Sequence, residues 1–283
     1  MIMMRLYPIY CKIFHMDGRF LVVTDMDYTL LLPGKKVSPR NMEAIDDLRK
    51  AGGILTIATG RTPFLTGIYT KELGITSPII TSNGASIYDP VGRTEIEINP
   101  IDEGITRTFL DYFTKKGCDA TGYSPEAVYL LCGSKRGAFI ENYNKGLPED
   151  EKAVVRNYDP SLPVPVFDKF LLIDADEETE KFVRDTEGIE VVSSAKGFLD
   201  IMSKGVSKGN ALLKLADILG ISHYRTFALG DSENDLSMIR MAGHGIAMKG
   251  SDPDVIASAS YVTASCEEDG FAKAVYDYIL KNI

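Results

Sequence analysis

Two aspartates one residue apart, Asp25-Met26-Asp27, close the apolar run Phe20-Leu21-Val22-Val23. Alternate residues of an extended segment share a side, so both carboxylates can face one ion. Two hard oxygen ligands with open positions suit magnesium, which keeps several waters and shares its shell with phosphate. The plain alternative is a turn whose acids solvate the end of a strand. Ala58-Thr59-Gly60-Arg61 ends a second apolar run, and a small hydroxyl beside a glycine lets the backbone approach an anion closely. It reads equally as a hydroxyl turn leading into a helix start at Thr62-Pro63. Ser82-Asn83-Gly84-Ala85 contains the Asn-Gly dipeptide of tight turns and by itself reads as structural.

Lys208 follows Ser207, the expected N-cap of an amphipathic helix carrying Leu212, Leu215 and Leu219. A cation there opposes the helix dipole unless an anion, a phosphate or a carboxylate, is its partner. Gly230-Asp231-Ser232-Glu233-Asn234-Asp235 again lies between an apolar strand and a helix, with more acid than helix capping requires. Asp231 and Asp235 are close enough for one to bind a metal and the other to hold its waters. His15, His223 and His244 show no ligand spacing and no nucleophile motif, so zinc chemistry and a Ser-His triad are not expected. With neither GxGxxG opening a helix nor GxxxxGK[ST], nicotinamide cofactors and P-loop hydrolysis also drop out.

These short sites need strands to carry them, and the chain alternates accordingly. Strands are expected at Phe20–Val23, Ile54–Ala58 and Pro78–Thr81, with helices opening at Ser38-Pro39 and Thr62-Pro63. The texture changes after Asp89: a helix through Ile101, Ile105, Phe109 and Phe113, strands Val128–Leu131 and Phe170–Ile173, a loop with Pro160, Pro163 and Pro165, and a hairpin of Glu190–Val192 and Phe198–Ile201. Alternation then resumes with a helix from Ser207 to Leu219, strand Thr226–Leu229, helix Leu236–Met241 and a strand near Gly245–Met248. An α/β fold follows: a Rossmann-like parallel-sheet core with helices on both faces, interrupted by an α+β block.

Composition agrees. The 283 residues, 45% hydrophobic and 25% charged, can bury a sizeable core in about two domains, or in one domain with a large insertion. The net charge of -9 removes the counterion-release drive for nucleic acid, so that partner is not expected. Four scattered cysteines, Cys11, Cys118, Cys132 and Cys266, without a CxxC pair, read as reduced thiols of a cytoplasmic protein. Arg5, Pro8 and Lys12 interrupt the apolar N-terminal stretch and no small-residue cleavage site follows, so a signal peptide is not expected, and no run reaches the ~18 residues of a membrane span. Residues 1–16 read as an extension of the core.

Taken together, Asp25-x-Asp27-x-Thr29, Thr59-Gly60-Arg61, Asn83-Gly84, Lys208 and Gly230-Asp231-x-x-Asn234-Asp235 stand in an order and spacing that resemble the haloacid dehalogenase-like hydrolases, in their Cof-type sugar-phosphatase branch. The likeness runs from Phe20 to the end, including Asp269-Gly270. It implies a core of residues 1–88 and 200–283 with a cap inserted at 89–199. It also implies a magnesium-dependent phosphatase acting on small phosphate esters, without membrane or nucleic-acid partners. Asp25 would be the nucleophile and Asp27 the acid-base. Thr59, Gly60, Lys208 and Asn234 would bind phosphate, and Asp25, Asp27, Asp231 and Asp235 would surround Mg2+, Asp27 through its backbone carbonyl and Asp235 from outside the ion's own shell. Arg61, Asn83 and Gly84 would touch the substrate from the core side. The branch usually has glycine where this chain has Tyr28, a departure expected to stiffen the turn and to bring a phenol within reach of substrate.

The resemblance leaves two other functions to weigh: a phosphosugar mutase of the phosphomannomutase type, and a non-catalytic phosphoaspartate signalling module, which the long interruption does not suit. Within 89–199 there are 13 Lys+Arg and 22 Asp+Glu, whereas the rest of the chain has 18 of each, so the whole acidic excess lies in the insertion. An acidic cap favours a neutral, hydroxyl-rich leaving group such as a sugar over a polyanion.

Overall fold

The computed structural model describes residues 18–33 and 36–283. The extension expected over residues 1–16, with Cys11 and His15, lies outside the described residues. In chain order the elements are β1 (Phe20–Thr24), α1 (Pro39–Lys50), β2 (Gly53–Ile57), α2 (Gly67–Glu72), β3 (Ile79–Thr81), β4 (Ser86–Asp89), β5 (Thr94–Ile98), α3 (Glu103–Lys116), β6 (Ala120–Tyr123) and β7 (Val128–Leu131). There follow α4 (Arg136–Asn144), β8 (Val155–Asn157), β9 (Lys169–Ile173), α5 (Glu177–Asp185), β10 (Ile189–Ala195), β11 (Phe198–Ser203) and α6 (Lys208–Leu219). The chain ends with β12 (Thr226–Gly230), α7 (Leu236–Met241), β13 (His244–Ala247), α8 (Pro253–Ser258), β14 (Tyr261–Val262) and α9 (Gly270–Asp277).

The chain divides into two compact units. The first holds the described residues up to Thr59, with Ile75–Ile80 and Ser207–Ile283. Its sheet is parallel throughout, in the order β14-β13-β12-β1-β2. β1 and β12 lie in its interior and are buried at every residue, which is why both read as unbroken apolar runs. From β1 the chain crosses through α1 to β2 on one side, and from β12 through α7 to β13 on the other. Crossovers of one hand running in opposite directions put their helices on opposite faces. α9 packs on α1 and α6 on α7, so each face carries a pair.

Opposed crossovers also create a switch point between β1 and β12, where a crevice opens at the carboxyl ends of the strands. The register pairs Thr24 with Leu229, and Asp25 N–H donates to Leu229 O at 2.8 Å. Asp25 and Asp231 therefore leave the sheet side by side. Gly230 is required at this spot, because a Cβ on it would lie 2.5 Å from both Cβ and Cγ of Asp235.

The second unit holds Gly60–Gly74 and Thr81–Val206. Its six-stranded sheet runs β10-β11-β9-β6-β7-β8 and is antiparallel except for the β7–β8 pair. One face carries an aromatic core in which Phe109 and Phe113 of α3 pack on Phe170 of β9, with Phe182 of α5 beside Phe109. The other face presents Tyr123, Val128 and Leu171, on which Leu65 and Phe64 pack.

This division differs from limits of 89 and 199 for a physical reason at each end. β11 stays paired with β9 and β10 through residues 202 and 203, so a cut at 199 would split a strand. The Gly60–Gly74 segment follows its apolar side chains onto the six-stranded sheet. The sequence reading also omits β4, β5, β6, β8, β14, α4, α8 and α9. In β6, Gly122 weakens the strand signal, yet a Cβ there would stand 2.5 Å from the Phe167 ring, so close packing of that ring demands the glycine.

Gly230→Ala should destabilise the protein by about 1–3 kcal/mol, because neither the strand nor the buried Asp235 side chain can retreat from an added methyl group. Urea unfolding of the variant against the parent protein measures it, and an unchanged midpoint would contradict this account of the glycine.

Candidate active site

The first unit gathers four of the expected residues. Lys208, the first residue of α6, is fully buried, and its Nζ donates to Asp25 Oδ1 and to Asp235 Oδ1, both at 2.6 Å. Ser207 caps that helix by accepting from Asn210 N–H. The cation that opposed the helix dipole thus has carboxylate partners. Asp235 is also fully buried, and its Oδ2 accepts from Asp231 N–H at 2.9 Å and Ser232 N–H at 3.1 Å. Asp231 accepts from Thr29 Oγ1 on Oδ1 and from Ser232 Oγ on Oδ2, each at 2.8 Å. One carboxylate oxygen each of Asp25, Asp231 and Asp235 lie within 4.8 Å of one another.

Burial of this much charge shifts every member. Burial pushes the Asp25 carboxyl well above the usual range; Lys208 works against this, and Asp235 and Asp231 add to it. Asp231 is pushed up to about 6, by burial first and then by Asp235. For Lys208 burial alone would lower the pKa, but Asp235 and Asp25 outweigh it and raise it above the ordinary value. Three carboxylates and one ammonium leave two negative charges, a deficit that a single divalent cation cancels. The residues therefore fit a hard cation bound through oxygen.

The remaining expected residues fall in several places. Asp27 is half-buried and outside the three-carboxylate cluster. Asn234 is half-buried beside Asp235. Thr59 is buried, two residues beyond β2, with its N–H donating to Ile80 O at 3.0 Å. Gly60, Arg61, Asn83 and Gly84 belong to the second unit. There a Cβ on Gly60 would lie 3.1 Å from Asn83 Oδ1, and the Arg61 guanidinium lies 4.8 Å from the centre of the Tyr69 ring. Ser82, Asn83 and Gly84 have φ of 49°, 56° and 99°, the left-handed backbone that an Asn-Gly turn accommodates. Tyr28 also has a positive φ, 65°, and is 61% exposed. Glycine takes that conformation freely, whereas a tyrosine there costs roughly 1–2 kcal/mol.

Sequence reasoning gave no role to Thr29 or Ser232, whose hydroxyls orient Asp231. It also passed over a second buried set, Asp168, Lys169 and Asp200. An acid between buried apolar neighbours in Leu199-Asp200-Ile201 is a signal that was available for it.

A family profile described as haloacid dehalogenase-like hydrolase matches residues 22–275. The chain belongs to this family. Within it the match is to the Cof-type branch. A 5-amino-6-(5-phospho-D-ribitylamino)uracil phosphatase of Bacillus subtilis is 30% identical, over 89% of this chain and 95% of its own. A pyridoxal phosphate phosphatase of Escherichia coli is 28% identical, over 92% and 98%. A solved haloacid dehalogenase-like hydrolase of B. subtilis superposes with a TM-score of 0.78 at 26% identity, covering 91% of this chain and 99% of that one. This haloacid dehalogenase-like protein is thus an enzyme of the phosphoric monoester hydrolase class, which sets aside a non-catalytic signalling role.

The upward shifts carry a sign. Asp25 and Asp231 bind protons more tightly folded than unfolded, so without metal the folded state holds the extra protons and stability falls as pH rises from the ordinary 3.8 toward about 6. Asp168, pushed up to about 6 by burial, and Glu95, pushed up to about 7 by burial, add a slope of the same sign from the second unit. Among the described residues only the first cluster brings three carboxylates together, where a cation would compete with protons, so Mg2+ should raise the thermal midpoint more at about pH 7.5 than at about pH 5. Equal shifts at the two pH values in scanning calorimetry would contradict a metal held by these carboxylates.

Proposed function

We propose that the protein is a magnesium-dependent phosphatase of small phosphorylated metabolites, sugar phosphates foremost, acting through an aspartyl-phosphate on Asp25. The observation that carries this reading is the buried Lys208 ammonium shared by Asp25 and Asp235, with Asp231 alongside. Such an arrangement repels a phosphate ester unless a divalent ion joins it, and suits one when it does.

Asp25 Oδ attacks phosphorus as the ester P–O bond breaks, and Asp27 protonates the departing alcohol. Asp27 then takes a proton from the water that attacks the acyl phosphate, releasing inorganic phosphate and restoring the Asp25 carboxylate. The partial exposure of Asp27 supports this role, since a group exchanging protons with water needs access to it. Lys208, Thr59 and Gly60 bind phosphoryl oxygens, with Asn234 beside them. Asp25, the Asp27 carbonyl and Asp231 hold Mg2+. Asp235, whose two oxygens are engaged by Lys208 and by two N–H groups, supports them from behind. When bound, the ion supplies positive charge to the transferring phosphoryl group. Arg61, Asn83, Gly84 and the exposed Tyr28 are the contacts assigned to the leaving group, and the inserted second unit is the cap. A mutase outcome has no observation of its own in its favour.

The acidic excess of residues 89–199 supports a neutral, hydroxyl-rich leaving group, and the ribityl phosphate in the name of the 30% identical relative is of that type. No helix among the described residues is long and apolar enough to cross a membrane, and Cys118, Cys132 and Cys266 are free thiols.

Asp25→Asn should lower turnover by at least ~10³-fold with the fold intact, and chelation of Mg2+ should do the same. Substantial phosphate release by the purified variant, with circular dichroism matching the parent protein, would overturn the assignment. In a screen of phosphorylated metabolites, hexose and polyol monophosphates should outrank nucleoside triphosphates. The reverse order would overturn the leaving-group argument, and an isomerised sugar phosphate in place of free phosphate would make the enzyme a mutase.

A further inference from the structure

The turn after β2 is tied down at three consecutive residues. Thr59 N–H donates to Ile80 O at 3.0 Å and Ser82 N–H to Arg61 O at 2.8 Å. Between them the Gly60 carbonyl accepts from Lys169 Nζ at 2.6 Å, a side chain 109 residues further along the chain. Two of the ties are backbone to backbone; the middle one needs a buried charge. Lys169 opens β9 and lies opposite Tyr123 of β6 and Met202 of β11. Asp200, two residues before Met202, is its diagonal neighbour on the same face. The ammonium donates to Asp200 Oδ1 at 2.6 Å and sits 4.8 Å from the centre of the Tyr123 ring. Lys169 is 4% exposed and Asp200 1%.

An ion pair in such a place does not explain itself as a stabilising device. Two well-packed apolar residues commonly serve a fold as well as a buried pair, or better. Apolar side chains cannot supply a donor to the Gly60 carbonyl. That carbonyl belongs to the residue of the turn with the fewest steric limits on its backbone. Because the peptide is planar, holding the Gly60 oxygen also sets the direction of the Arg61 N–H. From another side Gly60 meets Asn83, whose Oδ1 would stand 3.1 Å from a Cβ. A free rotor is thereby held between a side-chain amide and an ammonium.

We propose that Lys169, anchored by Asp200, is a positioning residue for the phosphate-binding turn Thr59-Gly60-Arg61. It touches no reacting atom; it fixes the Gly60 carbonyl and so the Gly60–Arg61 peptide. The assignment rests on the reading of Thr59 and Gly60 as phosphate-binding, and its test keeps the two apart.

The test replaces both partners, Lys169→Met with Asp200→Leu, so that neither member of the pair is left buried without the other. The expected variant unfolds near the parent temperature. Its KM for a hexose monophosphate and its Ki for inorganic phosphate rise about tenfold or more, the effect of losing a hydrogen bond from a charged donor, while kcat falls less. Amide exchange of Gly60 and Arg61 speeds by a similar factor, while that of β1 and β12 does not change. A folded double variant with parental exchange at these amides and parental Ki would overturn the proposal. Exchange is read without substrate, so a parent protein that hydrolysed no phosphate ester would sink the phosphatase reading and leave the positioning claim to be decided by exchange. If the double variant does not fold, Lys169→Arg, which keeps charge and pairing but relocates the donors, takes its place. Weaker phosphate binding and faster exchange in that variant support the proposal, and parental values of both overturn it.

Discussion

A single ammonium group placed in the interior organises the first unit. Lys208 is fully buried, and burying a charge costs several kcal/mol unless strong partners surround it. Asp25 and Asp235 supply them, and they arrive from β1 and from the turn after β12, two segments more than two hundred residues apart. Removing Lys208 would strand two buried carboxylates, and removing either carboxylate would leave the ammonium with a single one of the two partners. The demand for charge balance therefore binds the end of β1, the start of α6 and the Gly230–Asp235 turn into one arrangement. The same demand leaves the cluster two charges short of neutrality, a shortage that a divalent ion would cancel.

The backbone makes the arrangement possible before any side chain takes part. Parallel strands with crossovers in opposite directions leave an opening at one point of the sheet only, and Asp25 and Asp231 stand at its edge. Gly230 then lets Asp235 fold back against the strand, from which its second oxygen takes the N–H groups of Asp231 and Ser232. Thr29 and Ser232 orient Asp231. The carboxylates are thus each held by hydrogen bonds in addition to charge, which fixes their direction as well as their presence.

The second unit repeats the logic in a different setting. Its sheet has one aromatic face that needs no polar group, and a second face where Lys169, Asp200 and Tyr123 meet among apolar neighbours. The Lys169 pair reaches the chain at Gly60, immediately after the residue read as a phosphate ligand. Much of this unit was hard to read in advance. β6 is interrupted by a glycine that serves a neighbouring ring, and β11 extends two residues past its apolar run because its partners continue. Short strands and uncapped helices lack local signals, since their stability comes from what packs on them.

From the order of residues alone come the parallel alternation, the helix caps at Ser38 and Ser207, the turn chemistry at Asn83-Gly84, and the short acidic and hydroxyl motifs at strand ends. These are local: they follow from periodicity, from backbone preference, and from the rule that ligands bind at the carboxyl ends of strands. Tertiary structure alone decided which charges share a partner, that Asp235 faces Lys208 while Asp231 faces two hydroxyls, and that Tyr28 stands in left-handed backbone. It also decided that residues 60–74 pack with the second unit. The reason is the range of the forces. Propensity and pattern act over a few residues and are written in them, whereas the energy of a buried charge depends on groups that only the folded chain brings within reach.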